Sequence, residues 1–308
     1  MNRMLSDKFE KDLQDGLLKT LLECVKKDHT LMLAIRKDYV NVYYRGGNIL
    51  KLKANGGKYE ASFDEGYARG QSLNLPDSSM CVASETDIRR WVESFPVRKQ
   101  IMDFWFIDNP QKEREFQQLV VRENNVNETD YFIADIELAL PSARFDMLAF
   151  KWTSTERKVD KVGLALIEMK HGDGALTGPS GILAHLTQLD KFLSNSESRE
   201  SLRDMATQQI NQLNRLGLIS HTKPHGRNFG VVNNRLEVVF LFANHNPRSS
   251  ILLRELSSPD FSALVAKMKD YCDVRFFTPN SAGYGIYKEC TVDYDSYVKF
   301  LGKFEESR

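Results

Sequence analysis

Two carboxylates and a lysine stand close together in the middle of the chain, in segments that resemble β-strands. Asp146 lies in one segment, and Glu168 and Lys170 lie in the next. Because side chains alternate along a strand, Glu168 and Lys170 point to one face, where Leu164 and Leu166 precede them. Asp146, on the hairpin partner, can lie beside them. The spacing therefore predicts two carboxylates and one ammonium at the end of a sheet.

Paired carboxylates supply the hard oxygen ligands that Mg²⁺ and Mn²⁺ prefer. An ion of this kind can bind a phosphate oxygen and lower the pKa of a bound water. A neighbouring lysine can orient that water, help to deprotonate it, or offset the charge that develops on the phosphate. These residue types favour hydrolysis of a phosphate ester. The other interpretation is an exposed ion pair at the strand end.

The surrounding segments predict the elements that would position these side chains. From Gln111 to Ala243 the expected order is helix, three strands, two helices and a further strand. Three meandering strands followed by a crossover helix and another strand make a mixed sheet with helices on its faces. The strands are expected at Tyr131–Leu140, Phe145–Trp152, Val162–Lys170 and Leu236–Ala243, with a glycine-rich loop at 172–181 before the second group of helices.

This pattern resembles the PD-(D/E)XK nuclease superfamily, whose fold is called restriction-endonuclease-like. The resemblance rests on Asp146 in the second strand and on Glu168-Met-Lys170 in the third, within the family's order of elements. It implies that Asp146 and Glu168 bind Mg²⁺, for which Mn²⁺ can substitute, and that Lys170 is the catalytic lysine. Phe145 stands where the family name has a proline, a position that varies in the family.

The resemblance also singles out residues on two helices. Some members carry a Q-x-x-x-Y motif after the third strand, and this chain has Gln188 followed by Phe192 in place of the tyrosine. Gln188 is therefore a candidate catalytic residue. Many members place a glutamate on the first helix, where Glu113 and Glu115 both flank the apolar stripe. Glu115 is a candidate metal ligand, and Glu113 is the alternative.

Three other motifs have a functional and a structural interpretation. Asp135 and Glu137 share one face of the first strand, and Glu137 is a candidate metal ligand; the alternative is a solvated strand edge. His221 and His225 have a zinc-like spacing, but Pro224 lies between them and no cysteine pair is nearby. The glycine-rich loop lacks G-x-x-x-x-G-K-[ST], which gives no support to ATP hydrolysis.

The N-terminal third has a different pattern. Glycine turns separate short segments rich in Tyr, Val, Leu and Ile, which predicts a β-meander. We expect two domains, 1–106 and 107–308, the first recognising substrate, a partner or a second protomer of a homodimer. The elements expected in it are a helix over Phe9–Val25 with Ser6 as N-cap, strands at Leu31–Arg36, Tyr39–Arg45, Ile49–Lys53 and Lys58–Phe63, a loop at Gly66–Ser84, and helices at Ile88–Phe95 and Val97–Phe106.

Composition narrows the class of protein. Of the 308 residues 42% are hydrophobic, enough for a sizeable core, and 42 Lys and Arg balance 42 Asp and Glu. Zero net charge gives no support to non-specific nucleic-acid binding. The stretch Arg199–Arg254 nevertheless carries eight cations against three anions, which indicates either a polyanion-binding surface or a solvated face.

The apolar runs and the cysteines bear on the expected location of the protein. The longest uncharged apolar run, Val238–Ala243, is too short to span a membrane. The four cysteines are scattered and the N-terminus has no apolar signal segment, so we expect reduced thiols and a cytoplasmic location. The expected protein is an α/β Mg²⁺-dependent nuclease acting on nucleic acid, preferably DNA, in host defence or DNA processing. The alternative is a catalytically inactive nucleic-acid-binding or assembly protein on the same fold.

Overall fold

The computed structural model describes residues 3–71, 76–140, 143–152, 158, 162–219, 228–231, 235–279 and 283–306. The chain divides into two compact units, each with its own sheet. The N-terminal unit comprises Asn2–Arg122 and Gln208–Ser220, and the C-terminal unit comprises Glu123–Thr207 and His221–Arg308. No helix in the described part of the chain is long and apolar enough to cross a membrane.

The N-terminal unit contains the predicted β-meander. Five strands pair in chain order, each antiparallel to the next. The strands are β1 (Leu31–Ile35), β2 (Tyr39–Tyr44), β3 (Gly47–Asn55), β4 (Lys58–Ser62) and β5 (Ser79–Val82). The helices are α1 (Asp7–Gln14), α2 (Lys19–Lys27), α3 (Glu85–Glu93), α4 (Phe95–Asp108) and most of α5 (Lys112–Val126), with a 3-10 turn at Glu65–Ala68.

Two expectations for this unit are wrong. The single helix expected over Phe9–Val25 is two helices, because the chain turns after α1 and the Leu18 N–H donates to the Asp12 carbonyl at 2.8 Å. The expected loop at Gly66–Ser84 contains β5, which pairs with β4 so that Val82 lies opposite Tyr59. A four-residue edge strand has too little periodicity of its own to be recognised from sequence.

Helix α5 explains why the first unit extends beyond the predicted boundary at residue 106. Gln118 on this helix accepts from the Gly46 N–H at 2.6 Å and donates to the Tyr43 carbonyl at 3.0 Å. It also donates to the Thr30 carbonyl at 2.7 Å. These bonds join α5 to the residue before β1, to β2 and to the β2–β3 turn, and the first eleven residues of α5 belong to the N-terminal unit.

Gly46 provides a test of this packing. Its φ is +75°, and an added Cβ would lie 2.5 Å from the Arg114 carbonyl oxygen of α5. We expect Gly46→Ala to lower the free energy of unfolding by at least about 3 kcal/mol, because strain at positive φ and a backbone clash add together. Gly56→Ala is the control, since Gly56 has φ +56° and open space around it, and should cost about 1–2 kcal/mol. If chemical denaturation shows the same loss of unfolding free energy in both variants, the packing of Gly46 against α5 is contradicted.

The C-terminal unit has a mixed six-stranded sheet in the order β11-β10-β9-β8-β7-β6. Strands β8, β9 and β10 are mutually parallel, and the other pairs are antiparallel. The strands are β6 (Tyr131–Leu140), β7 (Ala143–Trp152), β8 (Val162–His171), β9 (Leu236–Ala243), β10 (Cys272–Phe277) and β11 (Val292–Asp293). The helices are α6 (Ile182–Leu193), α7 (Ser196–Arg215, whose end lies in the other unit), α8 (Ile251–Leu256), α9 (Pro259–Met268) and α10 (Tyr294–Glu306).

The expected order of helix, three strands, two helices and a strand is confirmed by α5 to β9. The protein is therefore a mixed α/β protein with two sheets, and ten α-helices lie within the described ranges. The strands β8 and β9 are buried along almost their whole length. This agrees with their near-continuous apolar sequence, since parallel strands are covered on both faces.

Strand β6 ends the sheet of the C-terminal unit, as far as the described residues show. The Asn125 side chain donates to the Ile133 carbonyl and accepts from the Ile133 N–H, both at 2.8 Å. The pairing with β7 shifts register between Ile133 and Asp135, and Glu137 has φ +53°. The outer edge of this strand is therefore irregular and partly capped.

Candidate functional site

The end of β8 carries a buried ion pair. Lys170 Nζ lies 2.8 Å from Glu168 Oε1, and each side chain is 3% exposed. The predicted common face of these two residues is confirmed. The alternative of an exposed ion pair is wrong, because the charges lie within a strand that is buried on both faces.

Helix α6 adds a third group to this pair. His185 Nδ1 contacts the same Glu168 oxygen that binds Lys170. Glu168 thus lies between an ammonium and an imidazole, and its Oε2 has no hydrogen-bond partner among the described residues. The sequence places His185 on the flank of α6 that also carries Gln188, but periodicity alone gives it no contact with β8.

Contacts at the far end of α6 hold the helix in place. Asp190 accepts from Lys267 Nζ of α9 at 2.7 Å and from the Tyr271 hydroxyl. Phe192 packs edge-on against Phe145 of β7 with ring centroids 5.3 Å apart. The position of His185 is therefore fixed by packing on two sides of its helix.

The charge state of Glu168 follows from these neighbours. Burial raises the pKa of Glu168, but the hydrogen bond from His185 and the charge of Lys170 outweigh it and bring the pKa below its usual value. The carboxylate is therefore ionised at neutral pH. Its interactions stabilise the folded protein at neutral pH, and this stabilisation disappears as the pH falls through the lowered pKa.

A Glu168→Gln variant tests this assignment. It keeps the shape of the side chain and removes the charge, so we expect a loss of about 3 kcal/mol in the free energy of unfolding at neutral pH. The difference from wild type should narrow as the pH falls, because the wild-type carboxyl becomes neutral as well. Denaturant titrations from neutral to acidic pH measure it. A difference that is the same at every pH would contradict the ionised, paired carboxylate.

Asp146 lies beside this pair, as predicted. The β7–β8 ladder ends at Met147 and Ile167. Beyond it, Asp146 Oδ2 accepts from the Met169 N–H at 2.8 Å. Met169 stands between Glu168 and Lys170 in the chain, so the second carboxylate is bonded to the backbone that carries the other two groups.

The two candidate metal ligands on β6, Asp135 and Glu137, have no described contact with the Glu168–Lys170 pair. Glu137 forms an ion pair with Arg144 of β7. Asp135 is fully buried and lies opposite Leu148. A solvated edge is therefore wrong for Asp135, because β6 is buried on both faces from Tyr131 to Ile136. The role of Glu137 as a metal ligand stays a prediction.

Among the described residues, neither candidate residue on a helix contacts the Glu168–Lys170 pair. Gln188 is exposed on α6 and lines an open groove of about 530 Å³ with Leu176, Gly178 and Gly181. Glu115 lies in the N-terminal unit, where its carboxylate binds Arg45 with a shortest distance of 2.5 Å. Their roles, and the choice between Glu113 and Glu115, stay predictions.

A second pair of polar residues follows the ends of β8 and β9. His245 Nδ1 lies 2.8 Å from Asp173 Oδ1, and the two side chains are 6% and 18% exposed. Neither residue belongs to a motif with an expected chemical role. In the sequence, each residue comes two positions after a strand. This spacing predicts their contact only if β8 and β9 are known to be parallel neighbours.

The arginines of the basic stretch Arg199–Arg254 that the structure describes are largely engaged in contacts within the protein. Arg215 pairs with Glu10, Arg235 with Asp273 and Arg254 with Glu255. His221 and His225 lie outside the described residues. The described arginines therefore give little support to this stretch as a polyanion-binding surface.

Comparisons with known proteins add little to this geometry. No family model matches the sequence, and no curated protein matches it. A solved structure of SfsA from Pyrococcus furiosus, in complex with Ca²⁺, aligns with a TM-score of 0.25 and 11% identity. The alignment covers 86% of this chain and 90% of that one. A likeness at this level shows neither the fold nor the activity of the protein.

The donor atoms fit a weakly ligated magnesium ion better than an enclosed metal centre. Among the described residues, no three His, Cys, Asp or Glu side chains form a group that could hold a metal ion. Mg²⁺, however, is commonly held by one or two carboxylates, with water and substrate phosphates as its other ligands. Asp146 and Glu168 supply two such carboxylates.

Proposed function

We propose that this protein is a Mg²⁺-dependent nuclease of the PD-(D/E)XK type that hydrolyses phosphodiester bonds, preferably in DNA, in the cytoplasm. One observation carries the proposal. Asp146 is hydrogen-bonded to the backbone between Glu168 and Lys170, at the end of a mixed sheet with the expected order of elements. The N-terminal unit would then recognise the substrate.

Each residue of the site has a role in this proposal. Asp146 and Glu168 would hold Mg²⁺, which when bound neutralises phosphate charge and acidifies a water molecule. Lys170 orients the attacking water and offsets the negative charge that grows on the phosphate oxygens. Its burial strengthens this effect, because an ammonium acts more strongly where water is excluded. His185 orients Glu168.

Cleavage assays test the proposal directly. Wild-type protein is incubated with end-labelled duplex DNA, single-stranded DNA and RNA, each with Mg²⁺, with Mn²⁺ and with a chelator. We expect cleavage with either ion, strongest on DNA, and none with the chelator. Absence of cleavage on every substrate with both ions would refute the nuclease.

The second candidate is a nucleic-acid-binding or assembly protein without catalysis. The observation in its favour is that Glu168 is already paired with Lys170 and His185 and is almost fully buried. Such a carboxylate can stabilise the fold without a metal. Binding of the same labelled strands without cleavage, and without any effect of Mn²⁺ on thermal stability, would support this candidate.

A further inference from the structure

We propose that His245, held by Asp173, is a second catalytic residue of this site and donates a proton to the leaving oxygen of the phosphodiester. The inference rests on the proposed nuclease function and deepens it. It concerns two residues for which the PD-(D/E)XK resemblance gives no role.

The position of the pair is the first argument. Asp173 and His245 follow the adjacent parallel strands β8 and β9, and the Gly172 N–H donates to the Ala243 carbonyl at 2.8 Å between them. In open α/β sheets, ligands bind outside the carboxyl ends of the parallel strands. Asp173 is three residues beyond Lys170, which is at most about 10 Å of chain. The Asp173–His245 pair and the Glu168–Lys170 pair therefore lie at the same edge of the sheet.

The state of the histidine is the second argument. Burial raises the pKa of Asp173, but bonds from Ser249, His245 and the Asn246 N–H outweigh it and lower the pKa, so the carboxylate is ionised. An ionised carboxylate only accepts hydrogen bonds, so His245 Nδ1 carries a proton. Nε2 is then the nitrogen left to take up and release the catalytic proton, and it has no hydrogen-bond partner within the described ranges. A carboxylate on Nδ1 also stabilises the imidazolium.

The proton balance of the step is complete. The oxygen of water forms a bond to phosphorus, and the water releases one proton to solvent. The bond from phosphorus to the leaving oxygen breaks, and its electron pair stays on that oxygen. The leaving oxygen takes the Nε2 proton of the His245 imidazolium and departs as an alcohol. The neutral imidazole then regains a proton from solvent.

A His245→Asn variant separates this role from a structural one. The asparagine amide can keep the donor to Asp173 but has no group in place of Nε2. We expect cleavage of DNA to slow about a hundredfold in single-turnover reactions, the usual scale for losing a general acid. A nitrophenyl phosphodiester of a nucleoside releases nitrophenolate, which needs no proton, so its hydrolysis should slow by less than about threefold. A structural defect would slow both substrates equally.

The outcomes separate this inference from the proposed function. Two outcomes, with a wild type that cleaves both substrates, refute the general acid and leave the nuclease standing. In the first, His245→Asn cleaves DNA as fast as wild type. In the second, the folded variant loses both activities in parallel. If wild type cleaves neither substrate, both proposals fail. Should His245→Asn not fold, His245→Ala with added imidazole replaces it. Recovery of DNA cleavage with imidazole supports the general acid, and no recovery overturns it.

Discussion

A Lys170→Met variant is expected to cleave DNA at least about a hundredfold more slowly than wild type in single-turnover reactions with saturating protein. Methionine keeps much of the apolar stem and removes the ammonium that acts on the water and the phosphate. Binding of Mn²⁺ and of labelled DNA should persist, because the lysine is not a metal ligand. Equal rates for the two proteins would remove Lys170 from the chemistry.

The structure supplies a matched control for the loss of a buried charge. Lys151 on β7 pairs with Glu237 at 2.5 Å, and both side chains are largely buried. Glu237 keeps the Tyr131 hydroxyl as a second partner, as Glu168 keeps His185. Lys170→Met and Lys151→Met should therefore each lower the free energy of unfolding by about 3 kcal/mol. Only Lys170→Met should slow cleavage. If both variants cleave similarly slowly, the loss of stability explains the slower cleavage.

The second large effect concerns the metal. If Asp146 and Glu168 hold the ion, Mn²⁺ at a hundred times its Kd should stabilise the wild-type protein by about 2.7 kcal/mol. Asp146→Ala should abolish this stabilisation, because a single remaining carboxylate holds Mn²⁺ weakly. Without metal the variant should lose about 1 kcal/mol for the missing hydrogen bond to Met169. Thermal unfolding with and without Mn²⁺ measures both quantities.

Asp130→Ala is the control for this experiment. Asp130 lies in the same unit, is half-buried, and accepts from the Lys288 N–H at 2.8 Å, the same type of bond at the same distance. It has no part in the proposed metal site. Its variant should lose a similar stability without metal and keep the full Mn²⁺ effect. If Asp146→Ala retains the Mn²⁺ effect, Asp146 is not a ligand.

Patterns within one element allowed much of the fold to be predicted. The bounds of β6 and β9 agree with the sequence because both strands are long and largely apolar and are bounded by polar residues or proline. The same face for Glu168 and Lys170 follows from strand alternation alone. The order of elements from α5 to β9 follows from the change between helical and strand periodicity.

Features that depend on contacts between distant elements could not be predicted. The burial of Glu168 depends on the covering of β8 on both faces. Its contact with His185 depends on where α6 packs. The pair of Asp173 and His245 depends on which strands are neighbours. Asp135 is buried because β6 is covered on both faces from Tyr131 to Ile136, which depends on the elements that pack against it. These are properties of tertiary packing, which overrides local propensity.

The capped outer edge of β6 has a consequence for the behaviour of the protein at high concentration. A ten-residue apolar strand at the end of a sheet would otherwise offer a template on which another chain can add a strand and begin aggregation. Asn125 occupies both outward backbone groups of Ile133, and the left-handed conformation at Glu137 interrupts the regular spacing of such groups further along. The side of the sheet remote from the parallel strands is thereby protected against intermolecular β-pairing by one side chain at the end of α5 and by a local distortion of the strand.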